Sequence, residues 1–219
     1  MAHTSRGGHE NEVWDLAEAE MAIAFVREQL NHALAYRVKY NADKHNVALA
    51  FIRYQGGASA VLAAYSNDSA IAESDRLNLG LVPDLSSYLP QSNRFGCGGM
   101  AQFHTEPKLL NYLCADSTIR KLAIHQHEPQ DLTYRSIIKH QRECAAQQAD
   151  FLRRPLEEIA AVTLVTEINC CKTCTSYSIS RFRARYPNTP IHLIELGKHP
   201  GKGLNPKFTR VTIERIKRT

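Results

Sequence analysis

The spacing of apolar residues divides the chain into helical and extended segments. Through residues 11–40, apolar side chains recur every three to five positions without an intervening glycine or proline, which predicts an amphipathic helix. Its predicted inward stripe consists of Trp14, Ala17, Met21, Phe25, Leu30, Leu34 and Val38. Two apolar runs, 47–54 and 58–65, flank Gln55-Gly56-Gly57 and predict a β-hairpin. Residues 66–103 show no clear period and are expected to form a long loop region.

The second half of the chain also alternates between helical and extended patterns of apolar residues. A helix is expected to begin at Pro107 and to bury a leucine stripe, and a second helix is predicted over 131–152. The leucines of that stripe are Leu109, Leu110 and Leu113. The β-branched run 160–168 predicts a buried central strand. It is followed by a predicted helix over 171–185, a strand over 190–196 and a last strand over 208–216.

This order of elements predicts an α/β fold. The strand–helix–strand unit implies a parallel pair, and the hairpin adds antiparallel strands. We therefore expect three layers, with a mixed five-stranded sheet that carries helices on both faces. The last two strands are expected to be antiparallel, because no helical pattern joins them. The predicted organisation is a polar tail and helix over 1–44 and a main domain over 45–219, with a helical insertion at about 116–155.

Composition limits the classes of protein that need to be considered. The chain has 219 residues, 43% of them hydrophobic, and no apolar run is long enough to span a membrane. The first residues lack an apolar stretch, so no Sec-type signal peptide is expected. The net charge of +5 is uneven: residues 171–219 hold eleven cationic and two acidic side chains, a net +9, which leaves −4 for the rest. A basic segment of this kind is typical of polyanion binders, and also of a solvated basic face.

Two short motifs carry the candidate chemistry: His104-Thr105-Glu106-Pro107 and Cys171-Lys172-Thr173-Cys174. Alone, the second could be a redox pair or a structural zinc half-site. Cys171 and Cys174 lie three residues apart at a predicted helix start, where the helix dipole favours thiolates and both can bind one ion. With His104 they form a donor set that leaves the fourth tetrahedral position open to water, as in catalytic zinc sites. Glu106 is then placed to transfer protons and is not a ligand.

The segments HTEPK and CCKTC resemble the motifs of the zinc-dependent cytidine deaminase superfamily. Within it, the chain is most similar to the deaminase domains of bacterial polymorphic toxins, over roughly 45–217. The resemblance implies Zn²⁺ held by His104, Cys171 and Cys174, with Glu106 as the catalytic acid and base. Two features depart from the family. Cys170 stands where the superfamily usually has proline, and 67 residues separate His104 from Cys171.

The basic C-terminal quarter favours single-stranded nucleic acid as the substrate, because phosphate neutralisation supplies most non-specific affinity. The resemblance implies cytosine as the target base, and we favour DNA over RNA. Candidate substrate contacts are Phe103, Tyr177, Arg181, Lys198 and Lys202. The two aromatic residues could instead be core residues.

The resemblance also implies a toxin or effector that acts in the cytoplasm after non-Sec delivery, with an immunity protein as a partner. Two alternative functions remain open at this stage. One is a deaminase of free nucleosides, nucleotides or bases, and the other is a catalytically silent, zinc-containing binding module.

Overall fold

A mixed β-sheet forms the centre of the structure. The computed structural model describes residues 16–34, 45–66, 79–96, 104–116, 158–197 and 210–212, together with 71, 76 and 119. The helices are α1 (Leu16–Leu34), α2 (Thr105–Cys114) and α3 (Ser180–Arg185), with a 3₁₀ turn at Gln91–Asn93 and a π-helical segment at Cys174–Ile179. The strands are β1 (Val47–Tyr54), β2 (Ser59–Tyr65), β3 (Ile159–Thr166), β4 (Ile191–Glu195) and the short β5 (Arg210–Thr212).

The strand order is β2-β1-β3-β4-β5. Strand β1 is antiparallel to both neighbours, whereas β3 and β4 are parallel and are connected by the segment that contains α3. The predicted α/β class, the mixed sheet and the strand–helix–strand unit are therefore confirmed. Of the predicted strand 208–216, the structure describes the backbone of 210–212, which pairs antiparallel with Leu193, Ile194 and Glu195.

The hairpin between β1 and β2 follows from the glycines in its turn. Gly57 has a φ of 81°, a conformation that residues with a Cβ rarely adopt. Its N–H donates to the Tyr54 carbonyl at 3.0 Å, and the Tyr54 N–H donates to the Ala58 carbonyl at 2.8 Å. The turn therefore fixes the register in which Val47 faces Tyr65 across the hairpin.

Both faces of the sheet are covered by helices. Alternate residues of β1, such as Ala50 and Ile52, pack with the leucines of α2 and with Phe182 of α3. The opposite face, which includes Leu49, packs against Ile23 and Leu30 of α1. The predicted leucine stripe of α2 is confirmed, since Leu109, Leu110 and Leu113 are all buried. Helix α2 begins at Thr105, two residues before the predicted start, which makes His104 its N-cap residue.

Helix α1 presents a different face to the sheet from the one predicted. Met21 is 65% exposed and Phe25 is 63% exposed, although both belong to the predicted inward stripe. The buried positions are instead Ala19, Ile23 and Leu30. Ala17 is also exposed, so the prediction was right for Leu30 and wrong for most of the described stripe.

The reason for this error is a buried arginine. Arg27 lies on the inward face of α1, where its guanidinium bonds both carboxylate oxygens of Glu167, with Nε 3.1 Å from Oε1. It also donates to the His45 carbonyl at 2.7 Å. A charge inside an apolar stripe argues against burial when the sequence is read alone, because its partner lies 140 residues away.

Several predicted elements fall partly or wholly outside the described residues. The predicted helix 131–152 and the insertion at about 116–155 lie almost entirely outside them. The predicted helix 171–185 is present from Lys172, but it is π-helical over Cys174–Ile179 and α-helical again from Ser180. It ends at Tyr186, before Pro187, as predicted.

The ends of β3 and β4 and the start of β1 lie at the same edge of the sheet. The parallel strands β3 and β4 reach it together, with Thr166 beside Glu195. Antiparallel β1 begins there, because Ala48 pairs with Thr166. The carboxyl edge of parallel strands is where α/β proteins commonly bind ligands.

The observed orientation of α1 predicts that one substitution lowers the free energy of unfolding strongly and that another hardly changes it. Ile23→Ala should lower the free energy of unfolding by about 2–4 kcal/mol, because it empties a packed position. Phe25→Ala should change it by about 0.5 kcal/mol or less, because that ring is exposed. Urea denaturation measures both values, and the reverse ranking would show that α1 packs through its predicted face.

Candidate metal centre

Three side chains from both motifs meet at this edge of the sheet. His104 caps α2, Cys171 follows the loop after β3, and Cys174 begins the π-helical segment. His104 Nδ1 lies 3.3 Å from Cys174 Sγ and 3.4 Å from Cys171 Sγ, and the two sulfurs are 3.4 Å apart. All three donor atoms lie within 4.8 Å of one another, so the group could hold a metal ion.

The donor set and its spacing suit a tetrahedral metal ion. Bonds of about 2.0–2.3 Å in a tetrahedron place neighbouring ligand atoms roughly 3.3–3.8 Å apart. The observed separations of 3.3–3.4 Å fall at the short end of that range. Cys174 is buried, while His104 and Cys171 are partly exposed, which leaves access from one side.

Burial and a neighbouring carboxylate act on the pKa of two thiols in this region, Cys174 and Cys170. Burial and then the Glu106 carboxylate raise the pKa of Cys174 well above its ordinary value. The same two causes, in the same order, raise the pKa of Cys170. Because a thiol binds a metal as its thiolate, a divalent cation bound here would have to displace the Cys174 proton.

Glu106 lies beside this group and is almost fully buried. Its Oε1 is 3.2 Å from Thr166 Oγ1, 3.3 Å from Cys170 Sγ and 3.4 Å from Asn46 Nδ2. The carboxylate is also close enough to Cys174 to raise the pKa of that thiol. The sequence-predicted residues His104, Glu106, Cys171 and Cys174 are therefore brought together.

Asn46 organises the site, and the sequence analysis missed it. Its Nδ2 donates to Thr105 Oγ1 at 2.7 Å and to Thr166 Oγ1 at 2.8 Å, while its Oδ1 accepts from the Ile168 N–H at 2.9 Å. One amide thus links the start of β1 with the first turn of α2 and the end of β3. A single asparagine before a predicted strand gives no sequence signal for this role.

Cys170 contacts Glu106 and does not belong to the three-residue group. Its Sγ–H donates to Glu106 Oε1, and its N–H donates to Glu195 Oε1 at 2.8 Å. A proline could make neither bond, since it has no N–H and no side-chain donor. Cys170 therefore connects two buried carboxylates at the sheet edge.

The predicted substrate contacts are described only in part. Tyr177 is exposed, which argues against the core role that was left open for it. Arg181 donates from Nη1 to Tyr177 Oη at 2.6 Å. Phe103, Lys198 and Lys202 lie outside the described residues.

No protein-family model, curated protein or solved structure matches this chain. Among the described helices, none combines the length and apolarity needed to cross a membrane. Function therefore has to be inferred from the geometry of the residues themselves.

The metal group predicts that the purified protein binds one divalent metal ion per chain. His104→Ala and Cys174→Ser should each reduce bound metal to background, because each removes one of three protein ligands. Cys114→Ala, a thiol at the far end of α2, should retain the metal. Elemental analysis after dialysis measures the content, and equal loss in all three variants would contradict the assignment.

The contacts of Asn46 predict an unusually large effect for an asparagine. Asn46→Ala should lower the free energy of unfolding by about 2–4 kcal/mol, because it leaves several buried polar groups without partners. Gln29→Ala removes an exposed amide from α1 and should cost about 0.5 kcal/mol or less. Thermal and urea denaturation test the difference, and similar values for both variants would refute it.

Proposed function

We propose that the chain is a zinc-dependent hydrolytic deaminase that converts cytosine to uracil in single-stranded nucleic acid, with DNA as its preferred substrate. The observation that carries the proposal is the placement of the Glu106 carboxylate. It is buried and hydrogen-bonded beside a His104/Cys171/Cys174 group that suits a metal ion. Hydrolysis at a metal ion needs a proton-transfer group beside the ligands, and Glu106 supplies one.

The donor set fits zinc, which prefers imidazole nitrogen and thiolate sulfur. Zn²⁺ held by His104, Cys171 and Cys174 would supply Lewis-acid activation of a water molecule near neutral pH. Glu106 accepts a proton from the attacking water and delivers it to the ring nitrogen N3, while the water oxygen bonds to C4. Glu106 then transfers the second proton to the amino group. The C4–N bond breaks, and ammonia leaves as uracil forms.

The contacts of Glu106 support this role. Thr166, Cys170 and Asn46 all lie around Oε1, which fixes the carboxylate on one side. A proton-transfer group must be held near its target to act efficiently. The contacts with Thr166 at the end of β3 and with Asn46 just before β1 provide that restraint. Because Thr166, Cys170 and Asn46 act through Glu106 in this scheme, they are positioning residues.

The sheet also supports the proposal. Its order and the antiparallel pairing of β5 with β4 agree with the five-stranded, deaminase-like topology that the resemblance implies. The basic side chains on the segment after Cys171 favour a polynucleotide over a free nucleoside, because a nucleoside carries no phosphate. Action as a bacterial toxin or effector, with an immunity partner, follows from the resemblance and is part of the same proposal.

The proposal predicts editing that depends on Glu106. Expression in bacteria that lack uracil excision should produce C-to-T changes in DNA, and Glu106→Gln should reduce them at least 100-fold. The substitution keeps the shape of the side chain but removes its proton-transfer group. Glu28→Gln alters an exposed acid on α1 and should edit like the wild type.

Deep sequencing of DNA and RNA reads the result, and Glu106→Gln should still bind metal. C-to-U changes confined to RNA would overturn the preference for DNA. Unedited nucleic acids with ammonia released from cytidine would identify a small-molecule deaminase. Bound zinc without ammonia release from any substrate would leave a binding module.

A further inference from the structure

An exposed tyrosine lies next to the candidate metal centre. Tyr177 follows Cys174 by three residues in the same π-helical segment, which is less than one helical turn. It is 36% exposed, whereas Cys174, Ser178 and Ile179 of the same segment are buried. About a third of Tyr177 is therefore open to solvent, on a segment whose apolar packing comes from Ile179.

Arginine holds this ring in place. Arg181 Nη1 donates to Tyr177 Oη at 2.6 Å, and the guanidinium carbon lies 5.6 Å from the ring centroid. The other terminal nitrogen of Arg181 donates to the Ser92 carbonyl in the 3₁₀ turn. Tyr177 is thus a partly exposed aromatic ring restrained by a hydrogen bond and a cation–π contact, and such restraint lowers the entropy cost of binding a planar partner.

The surroundings of the ring are cationic. Between Glu167 and Glu195 the sequence contains four Lys or Arg residues and no acid. Lys172 and Arg185 are exposed, and Arg185 lies 5.7 Å from the centroid of the Tyr186 ring. Within the described residues, the ion pair that the structure shows is Arg27–Glu167, so neither of these two cations has a described carboxylate partner.

We propose that Tyr177 is a stacking platform for a base that flanks the target cytosine in single-stranded DNA, with Lys172 and Arg185 contacting the backbone phosphates. The inference rests on the proposed function and names a substrate subsite of that same centre. Exposed aromatic rings between cations are how proteins bind single strands without reading sequence. A free nucleoside has no flanking base and could not use this surface.

The test measures binding by the Glu106→Gln protein, which should leave the strand unedited. The probe is a fluorescent 12-nucleotide DNA strand with one cytosine among thymines, followed by anisotropy. Tyr177→Ala should weaken binding roughly 5- to 150-fold, the range reported by alanine substitution of stacking aromatics. Tyr177→Phe should restore most of the affinity, because it keeps the ring. Phe25→Ala, which removes an exposed ring from α1, should have no effect.

A second probe identifies the contact. The bases next to the cytosine are replaced with abasic sites. This strand should bind more weakly to the protein that retains Tyr177. Its affinity should then equal that for the Tyr177→Ala variant. Arg185→Gln should lower the slope of log affinity against log salt by about 1, as expected for one lost phosphate contact. Metal content and melting temperature of each variant check that the centre remains folded.

The outcomes separate the two proposals. If the wild type edits DNA but Tyr177→Ala binds the strand as tightly as Tyr177, the platform is refuted and the proposed function stands. If binding depends on Tyr177 but no deamination occurs, the platform stands and the enzyme assignment fails. If Tyr177→Ala weakens binding of an RNA strand but leaves binding of the DNA strand unchanged, the DNA assignment is overturned.

Discussion

The geometry of the site depends on the side-chain amide of Asn46. Three elements that are distant in sequence meet at this group: β1 follows it directly, α2 bonds it through Thr105, and β3 bonds it through Thr166, as does Ile168 just beyond β3. His104 and Glu106 belong to the same turn of α2 as Thr105. Any change in the position of α2 relative to β3 would therefore move a ligand and the carboxylate together. The amide sets the distance between the two motifs.

Buried charge is concentrated along the same part of the fold. Glu167 is compensated by Arg27, Glu195 accepts the Cys170 N–H, and Lys108 donates to the Tyr65 carbonyl at 2.8 Å. Each of these groups would be costly to bury without its partner. Since the partners come from α1, from the loop after β3 and from β2, the polar contacts fix the relative positions of several elements. Apolar packing alone would allow more freedom in how these elements sit together.

Local patterns were sufficient to predict the elements that surround the site. The Gly-Gly turn predicted the hairpin, β-branched runs predicted β3 and β4, and the two motifs predicted which side chains would meet. Long-range polar pairing was not accessible in the same way. Arg27 interrupts an apolar stripe and its partner is 140 residues away, so the burial of α1 was assigned to the wrong face. Asn46 and the bond between Cys170 and Glu195 likewise depend on contacts that no local spacing encodes.

The direction of two elements explains how the ligands can lie so far apart in sequence. Helix α2 begins at the candidate metal centre and leads away from it for ten residues, about 15 Å of helix. Strand β3 ends at the centre, so it starts some eight residues away, toward the opposite edge of the sheet. The chain therefore departs from and returns to the sheet on the side remote from His104 and Cys171. The spacing of the candidate ligands therefore does not depend on the number of residues between Cys114 and Ile159.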